Sequence, residues 1–135
     1  MPPVAPIWTP SFERTERATI TRYRRWLGAQ RGLEFDGYEA LWQWSVDEIE
    51  TFWKTIPQFF GVRFHARAAQ VLAERKMPGA RWFEGATINY AEHALATAQD
   101  PEAATRPAII FSSETQPRRE LSWTELSDRV GALGA

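Results

Sequence analysis

MPGARWFEGATINYAEHAL, residues 77–95, is the stretch around which the chain is organised. It combines a turn at Pro78 and Gly79, the aromatic pair Trp82 and Phe83, and a helix start at Asn89. Residues before it have helical periodicity, and residues after it read as a strand, a hairpin and a helix. We therefore expect a structural segment that joins a helical region to the beginning of a mixed α/β domain.

The composition excludes several classes of protein. The 135 residues carry a net charge of -1 with a pI near 6.1, which indicates no basic surface for nucleic acid. Cysteine is absent, so disulfides and thiolate metal sites are ruled out. We do not expect a secretory signal, since residues 1–8 have no basic stretch followed by an apolar one. The sequence contains no apolar run of about 20 residues. We expect a cytoplasmic protein with neither a nucleic-acid nor a membrane partner.

The first thirty residues predict an extended arm and one helix. Four prolines within residues 1–10 favour an extended arm, which Trp8 is expected to attach to a surface. Ser11 is placed to cap a helix that runs to about Gln30. The apolar stripe of this helix and its glycine stop are Ile20, Tyr23, Leu27 and Gly32.

Arginines border that stripe at Arg22, Arg24, Arg25 and Arg31. A cluster of this kind is most often a solvent-facing surface, which is our interpretation here. The alternative is a contact with phosphate or with an acidic partner.

Ser45 and Glu48 have the S-x-x-E spacing of a capping box. The sequence therefore predicts a short helix over Tyr38–Trp44 and a separate helix that begins after Ser45. Pro57 is expected to kink that second helix or to end its regular part. Its core-facing stripe is predicted to contain Val46, Ile49, Trp53, Ile56 and Phe60, with Phe52 and Phe59 alongside.

The next segment is weaker in pattern until Asn89. Alanines within Arg63–Arg75 predict a short helix or turn, and Trp82 is expected to start an extended stretch. Asn89 is predicted to cap a helix that runs to about Ala98, with Glu92 completing a second capping box. His93 lies on this helix, where we expect a partly buried structural histidine.

The pattern changes after the polar, proline-flanked loop at Asp100–Pro107. Residues 108–111 form a continuous apolar run, which predicts a buried strand, and Glu114–Arg119 is predicted to be a hairpin loop. Ser122 and Glu125 form a third capping box and open a helix that is still running at Ala135. The α+β pattern, with its unfinished hairpin and helix, suggests a truncated chain that exposes apolar surface.

No catalytic, cofactor-binding or metal-binding residue is assigned within residues 1–135. The motifs GxxxxGK[ST], GxGxxG and GxSxG are all missing from the sequence. His65 and His93 are far apart and have no carboxylate or histidine at metal-ligand spacing.

Five segments in order resemble the N-terminal region of acyl-CoA synthetases of the acetyl-CoA and acetoacetyl-CoA type, within the adenylate-forming superfamily. They are Trp8-Thr9-Pro10, Trp26-Leu27, Leu41-Trp42-Gln43-Trp44-Ser45, Phe52-Trp53, and Pro78–His93. The block from Gly85 to His93 resembles the acetoacetate type more than the acetate type, whose members usually carry W-F-x-G-G.

The resemblance implies a ligase that joins acetoacetate to coenzyme A. ATP, with Mg²⁺, activates the acid as an acyl-adenylate, and coenzyme A then displaces AMP. It also implies that residues 1–106 form the N-terminal helical region and that residues 107–135 begin the large AMP-binding domain. The catalytic motifs of the family lie further along a complete chain, so the segment is expected to be inactive alone and to have the remainder of the ligase as its partner.

Three alternatives stay open from the sequence. One is the N-terminal region of an acetyl-CoA or other short-chain acyl-CoA synthetase. Another is a stand-alone binding module built on Trp42, Trp44 and Trp82, which exposed coplanar rings would support and burial would count against. The last is a regulatory domain that docks on a separate ligase subunit.

Overall fold

The computed structural model describes residues 7–134, which form six α-helices, two antiparallel strand pairs and a short 3-10 helix. Helices followed by a hairpin and a helix were expected from the sequence, and this order is confirmed. The elements are α1 Phe12–Arg17, α2 Thr19–Arg31, α3 Tyr38–Asp47, α4 Ile49–Phe59, β1 Leu72–Glu74, β2 Arg81–Trp82, α5 Tyr90–Ala94, the 3-10 helix Ala96–Gln99, β3 Pro107–Phe111, β4 Arg119–Ser122 and α6 Trp123–Leu133.

The described residues divide into two compact units. The first contains residues 7–62 and Gln70–Trp82, and the second contains Arg63–Ala69 and residues 83–134. The predicted organising stretch therefore contributes its turn and strand to the first unit, and its helix to the second.

The core of the first unit lies between α2, α3 and α4. Tyr23, Leu27 and Leu41 are buried at its centre, and Leu27 is completely inaccessible. Partly buried residues surround them: Trp26, Leu33, Phe35, Trp44, Phe52, Ile56 and Phe59. The predicted stripe of α2 is thus confirmed at Tyr23 and Leu27, whereas Ile20 is 46% exposed.

The single helix predicted from Ser11 to Gln30 is wrong in extent, because it is divided into α1 and α2. Ala18 lies between them with an extended backbone (φ -64°, ψ 140°). Ser11 does cap α1, since its side chain accepts a hydrogen bond from the Arg14 N–H. The Thr21 hydroxyl donates to the Thr15 carbonyl at 2.7 Å and competes with a continuous helical ladder. Gly32 ends α2 in the left-handed region at φ 65°, as predicted.

The predicted capping box at Ser45 and Glu48 is also wrong. Ser45 lies inside α3, and its hydroxyl donates to the Trp42 carbonyl at 2.7 Å. Glu48, with φ -105° and ψ 47°, is the single residue between α3 and α4. Helix α3 continues past Ser45 because the N–H groups at its C-terminal end already have carbonyl partners and need no cap. The Glu48 N–H, for example, donates to the Trp44 carbonyl at 2.8 Å.

The predicted core stripe of α4 is confirmed in part. Ile56 packs against the core together with Phe52 and Phe59, whereas Trp53 and Phe60 are exposed. Val46, which was assigned to the same stripe, belongs to α3 and is exposed as well. Helix α4 continues for two residues beyond Pro57, so the proline lies in its last turn. A proline there removes only one backbone donor close to the helix end.

Residues 63–71, all of them described, contain no helix, which corrects the helical alternative for that segment. Instead β1 pairs with β2 in an antiparallel ladder, with Leu72 opposite Trp82. The turn at Pro78 and Gly79 connects the two strands, and Phe83 leaves the extended conformation with φ 46°. Cross-strand pairing, which local periodicity does not reveal, decided the structure here.

Helix α5 of the second unit is shorter than predicted. Asn89 caps it by accepting from the Glu92 N–H at 3.2 Å, as expected, but the α-helix ends at Ala94 and continues to Gln99 only as a 3-10 turn. The second half of the predicted capping box is replaced, because the Glu92 carboxylate bonds to side chains of residues 63 and 65 instead.

Strands β3 and β4 and helix α6 follow the sequence prediction closely. Ile110 lies opposite Glu120, and Ser122 forms a complete capping box with Glu125. The prediction of a buried strand is wrong for this chain, because the β3 side chains are largely exposed, with Ile110 57% accessible. Helix α6 ends at Leu133 with Gly134 as its C-cap, so the predicted helix stops within the described residues. Ala135 lies outside them.

The N-terminal arm is described only in part. The arm expected over residues 1–10 lies outside the described residues up to residue 6, while Trp8 is 64% exposed, with the Arg14 guanidinium 5.6 Å from its ring centroid. Across the described part of the chain, no helix has the length and apolar character needed to cross a membrane.

Candidate functional site

A connected polar group in the second unit is formed by Arg63, His65, Glu92 and His93, here called the Glu92 cluster. The Glu92 carboxylate lies 2.6 Å from His65 Nε2 and 3.2 Å from Arg63 Nη1. Asn89 positions Glu92 by capping α5, and an antiparallel bridge between Ala66 and Thr87 holds the facing segment. The cluster therefore joins two segments that are about thirty residues apart in sequence.

His93 completes the same connection through the backbone. Its Nε2 lies 3.1 Å from the Arg63 N–H and 3.2 Å from the Arg63 carbonyl oxygen. A neutral imidazole with its proton on Nδ1 accepts from that N–H, which satisfies a backbone donor outside any helix or strand. The expectation of a partly buried structural histidine is confirmed by this geometry.

Electrostatics keep the Glu92 carboxylate ionised. The hydrogen bond from His65 lowers the pKa of Glu92, and the positive charge of Arg63 acts in the same direction. A carboxylate held in this way is suited to ion pairing and is a poor proton donor near neutral pH. Among residues 7–134, no group of three His, Cys, Asp or Glu side chains is arranged to hold a metal ion.

The arginines of α2 are part of a mixed-charge surface. Arg25 forms an ion pair with Glu16, and Arg31 donates to the Gln58 side-chain oxygen. A shallow pocket beside α2 is lined by Arg24 and Arg25, but Glu34 and Asp36 line it too. A phosphate in this pocket would be repelled by two carboxylates as well as attracted by two guanidinium groups. The exposed positions of Arg22, Arg25 and Arg31 agree with the solvent-facing interpretation of the arginine cluster.

The three tryptophans of the binding-module hypothesis are not arranged as one platform. Trp44 belongs to the core, where its ring packs against Phe35 and Phe52. Trp82 packs on Trp53 with an interplanar angle of 61°, and Trp42 is 52% exposed. Because Trp44 packs into the core, these three tryptophans do not form a stand-alone aromatic binding surface.

Sequence reasoning found Glu92 and His93 but missed their partners. Arg63 and His65 lie in a segment with no periodicity, 27 to 30 residues before the groups they contact. The backbone bridge between Ala66 and Thr87 and the stacked rings of Phe64 and Phe83 also join these segments. Contacts between residues so far apart leave no local pattern in the sequence.

Comparison with known proteins connects this arrangement to a family. Residues 38–94 match the family described as "Acetyl-coenzyme A synthetase N-terminus". That range includes α3, α4, the β1–β2 pair and α5 with Glu92 and His93. Residues 38–94 are thus similar to the N-terminal region of acetyl-coenzyme A synthetases.

Two relatives that match nearly the whole chain are both acetoacetyl-CoA synthetases. A solved structure, acetoacetyl-CoA synthetase from Streptomyces lividans, aligns with a TM-score of 0.81 and 41% identity over 98% of this chain and 21% of its own. The curated acetoacetyl-coenzyme A synthetase of Rhizobium meliloti (strain 1021) is 30% identical over 95% of this chain and 19% of its own. Propionate–CoA ligase of Salmonella typhimurium is 30% identical over 73% of this chain and 15% of its own length.

The resemblance seen in the sequence is thereby confirmed: this chain matches the N-terminal part of acetoacetyl-CoA synthetases over nearly all of its length. It spans about a fifth of the length of those relatives.

Proposed function

We propose that this chain is the N-terminal segment of an ATP-dependent acetoacetate–CoA ligase. The reaction of the whole enzyme converts ATP, acetoacetate and coenzyme A to acetoacetyl-CoA, AMP and pyrophosphate. The observation that carries the proposal is the likeness to the Streptomyces lividans acetoacetyl-CoA synthetase, with 41% identity over 98% of this chain.

The segment's part in that enzyme is structural. Its polar groups are engaged in holding its own segments together, as Glu92 does with Arg63 and His65. ATP, Mg²⁺ and coenzyme A would be bound by the remainder of the ligase, and acetoacetate would be activated there. We assign residues 1–106 to the N-terminal helical region and residues 107–135 to the beginning of the AMP-binding domain, as the sequence predicted.

A segment exchange tests this proposal. Residues 1–135 would replace the matching N-terminal segment of the Streptomyces lividans enzyme, and pyrophosphate release would be measured with and without acetoacetate and coenzyme A. We expect turnover that depends on both. The 135-residue chain alone and the enzyme lacking its N-terminal segment serve as controls, and we expect no turnover from either.

The same segment in the Salmonella propionate–CoA ligase is the matched comparison, because that enzyme also resembles this chain. We expect the acetoacetyl-CoA synthetase chimera to retain more of its parent's activity than the propionate chimera. A folded acetoacetyl-CoA synthetase chimera without turnover would refute the proposal, and better function in the propionate ligase would favour the short-chain alternative.

A further inference from the structure

Helix α4 has an apolar side that its own unit covers only in part, because Trp53 and Phe60 are exposed while Ile49 and Pro57 are half-buried. Ile49, Trp53, Pro57 and Phe60 follow one another at spacings of four, four and three residues, so they lie on one side of the helical path. This side is distinct from the side of Phe52 and Phe59 that packs against the core. We call it, together with the Trp82 ring that packs on Trp53, the outer α4 face.

Large aromatic surface remains accessible on this face. Trp53 is 40% exposed and Phe60 is 61% exposed, although the Trp82 ring centroid lies only 5.7 Å from that of Trp53. None of the side chains that form the face is charged. An exposed aromatic patch of this kind on a folded chain is typical of an interaction surface.

Helix α4 already has a separate side suited to water. Glu50, Lys54 and Gln58 are all exposed and recur at spacings of four residues. The outer α4 face is therefore additional to the solvated side of an ordinary amphipathic helix, which needs only one apolar stripe.

We infer that the outer α4 face is the surface through which this segment packs against the remainder of the ligase chain. This inference rests on the proposed function. The chain spans 19% and 21% of two acetoacetyl-CoA synthetases, so about four-fifths of each is available to cover the face. Because the face has no charged side chain, the surface that covers it is made mainly of aliphatic and aromatic side chains.

The absence of cysteine from the chain permits a direct test. Phe60→Cys places one thiol on the outer α4 face, and Lys54→Cys places one on the solvated side as the matched control. Each variant is made in the 135-residue chain and in the Streptomyces lividans chimera, and alkylation of that thiol is followed by mass spectrometry of the corresponding peptide. Circular dichroism checks that each variant is folded.

In the 135-residue chain we expect both thiols to react at similar rates. In the chimera we expect the Phe60→Cys thiol to react at least about tenfold more slowly, because a buried thiol reacts only after local opening. The Lys54→Cys thiol keeps its rate. Equal protection of both thiols, or protection of neither, would overturn the inference.

Hydroxyl-radical footprinting of the unsubstituted proteins gives a second measurement that needs no variant. We expect less oxidation of Trp53 and Phe60 in the chimera than in the 135-residue chain. Protection of Phe60 in the 135-residue chain that grows with its concentration would assign the face to a second copy and overturn the inference. An inactive chimera with Phe60 protected supports this surface while refuting the proposed activity, so the two failures are distinguishable.

Discussion

A buried hydrogen bond between α2 and α4 should make two substitutions strongly non-additive. The hydroxyls of Tyr23 and Thr55 are 2.5 Å apart, and each residue is only 3% exposed. Thr55 donates its single hydroxyl proton to the Phe52 carbonyl at 2.7 Å, so Tyr23 is the donor in the shared bond. The two partners therefore differ in what their removal leaves behind.

Tyr23→Phe removes a donor but leaves Thr55 bonded to Phe52, so we expect a loss of about 0.5–1.5 kcal/mol in the free energy of unfolding. Thr55→Val leaves the buried Tyr23 hydroxyl without its acceptor and should cost about 1–3 kcal/mol. With both substitutions the polar pair is gone, and the double variant should be at least as stable as Thr55→Val alone.

Urea unfolding of the four proteins, followed by far-ultraviolet circular dichroism at pH 7, measures this cycle. A double variant destabilised by the full sum of the single effects would refute the assigned direction of donation. So would a larger loss from Tyr23→Phe than from Thr55→Val.

Alkaline pH provides an independent check of the same bond. Burial raises the pKa of the Tyr23 phenol above its ordinary value of 10.0. The folded state then favours the neutral phenol, so this contribution is present below about pH 10 and is lost as the pH rises toward the folded-state pKa. Tyr23→Phe should remove that part of the pH dependence, whereas Tyr38→Phe, at a site 66% exposed, should leave it unchanged.

Further substitutions test the core, the helix caps and the Glu92 cluster. Leu27→Ala should cost about 2–5 kcal/mol because the side chain is fully buried, while Ile20→Ala should change stability by less than about 0.5 kcal/mol. Ser122→Ala should cost about 0.5–2 kcal/mol by removing a complete capping box, and Ser45→Ala, inside α3, should cost less. The hydrogen bond from His65 lowers the pKa of Glu92, so the Glu92 carboxylate stabilises the folded state above pH 4.5, its ordinary pKa. This contribution is lost as the pH falls through the lowered pKa, and Glu92→Gln should reduce the acid dependence of stability in urea titrations.

Each comparison has an outcome that contradicts it. Equal losses at Leu27 and Ile20 would mean that the core does not lie where the structure has it. A larger loss from Ser45→Ala than from Ser122→Ala would restore the helix boundary that the sequence predicted. Unchanged acid dependence in Glu92→Gln would show that the Glu92 cluster does not contribute to folding.

Two identical sequence signals had different outcomes, which shows what local pattern can predict. Ser45 and Ser122 each have glutamate three residues later, but only Ser122 caps a helix. Ser122 follows an extended strand, so α6 has to begin there and its first N–H groups need acceptors. Ser45 follows residues that are already helical, and continued backbone hydrogen bonding removed the need for a cap.

The helical stripes were predicted in period but not always in direction. Tyr23, Leu27 and, on α4, Ile56 were identified correctly. The rest of the core side of α4 is formed by Phe52 and Phe59, whereas Trp53 and Phe60 are exposed. An aromatic-rich helix with apolar residues over a wide arc fits two orientations by periodicity alone. The orientation of α4 is set by its packing against the core residues of α2 and α3.

By itself the sequence determined the class of protein, the order of helices and hairpin, and the turn and helix cap within residues 77–95. These depend on near-neighbour chemistry: turn residues, capping side chains and motifs that can be read along the chain. Only the tertiary structure decided the pairing of β1 with β2 and the contacts of Glu92 with Arg63 and His65. Those features join residues that local periodicity does not relate, and their free energy arises only when distant segments meet.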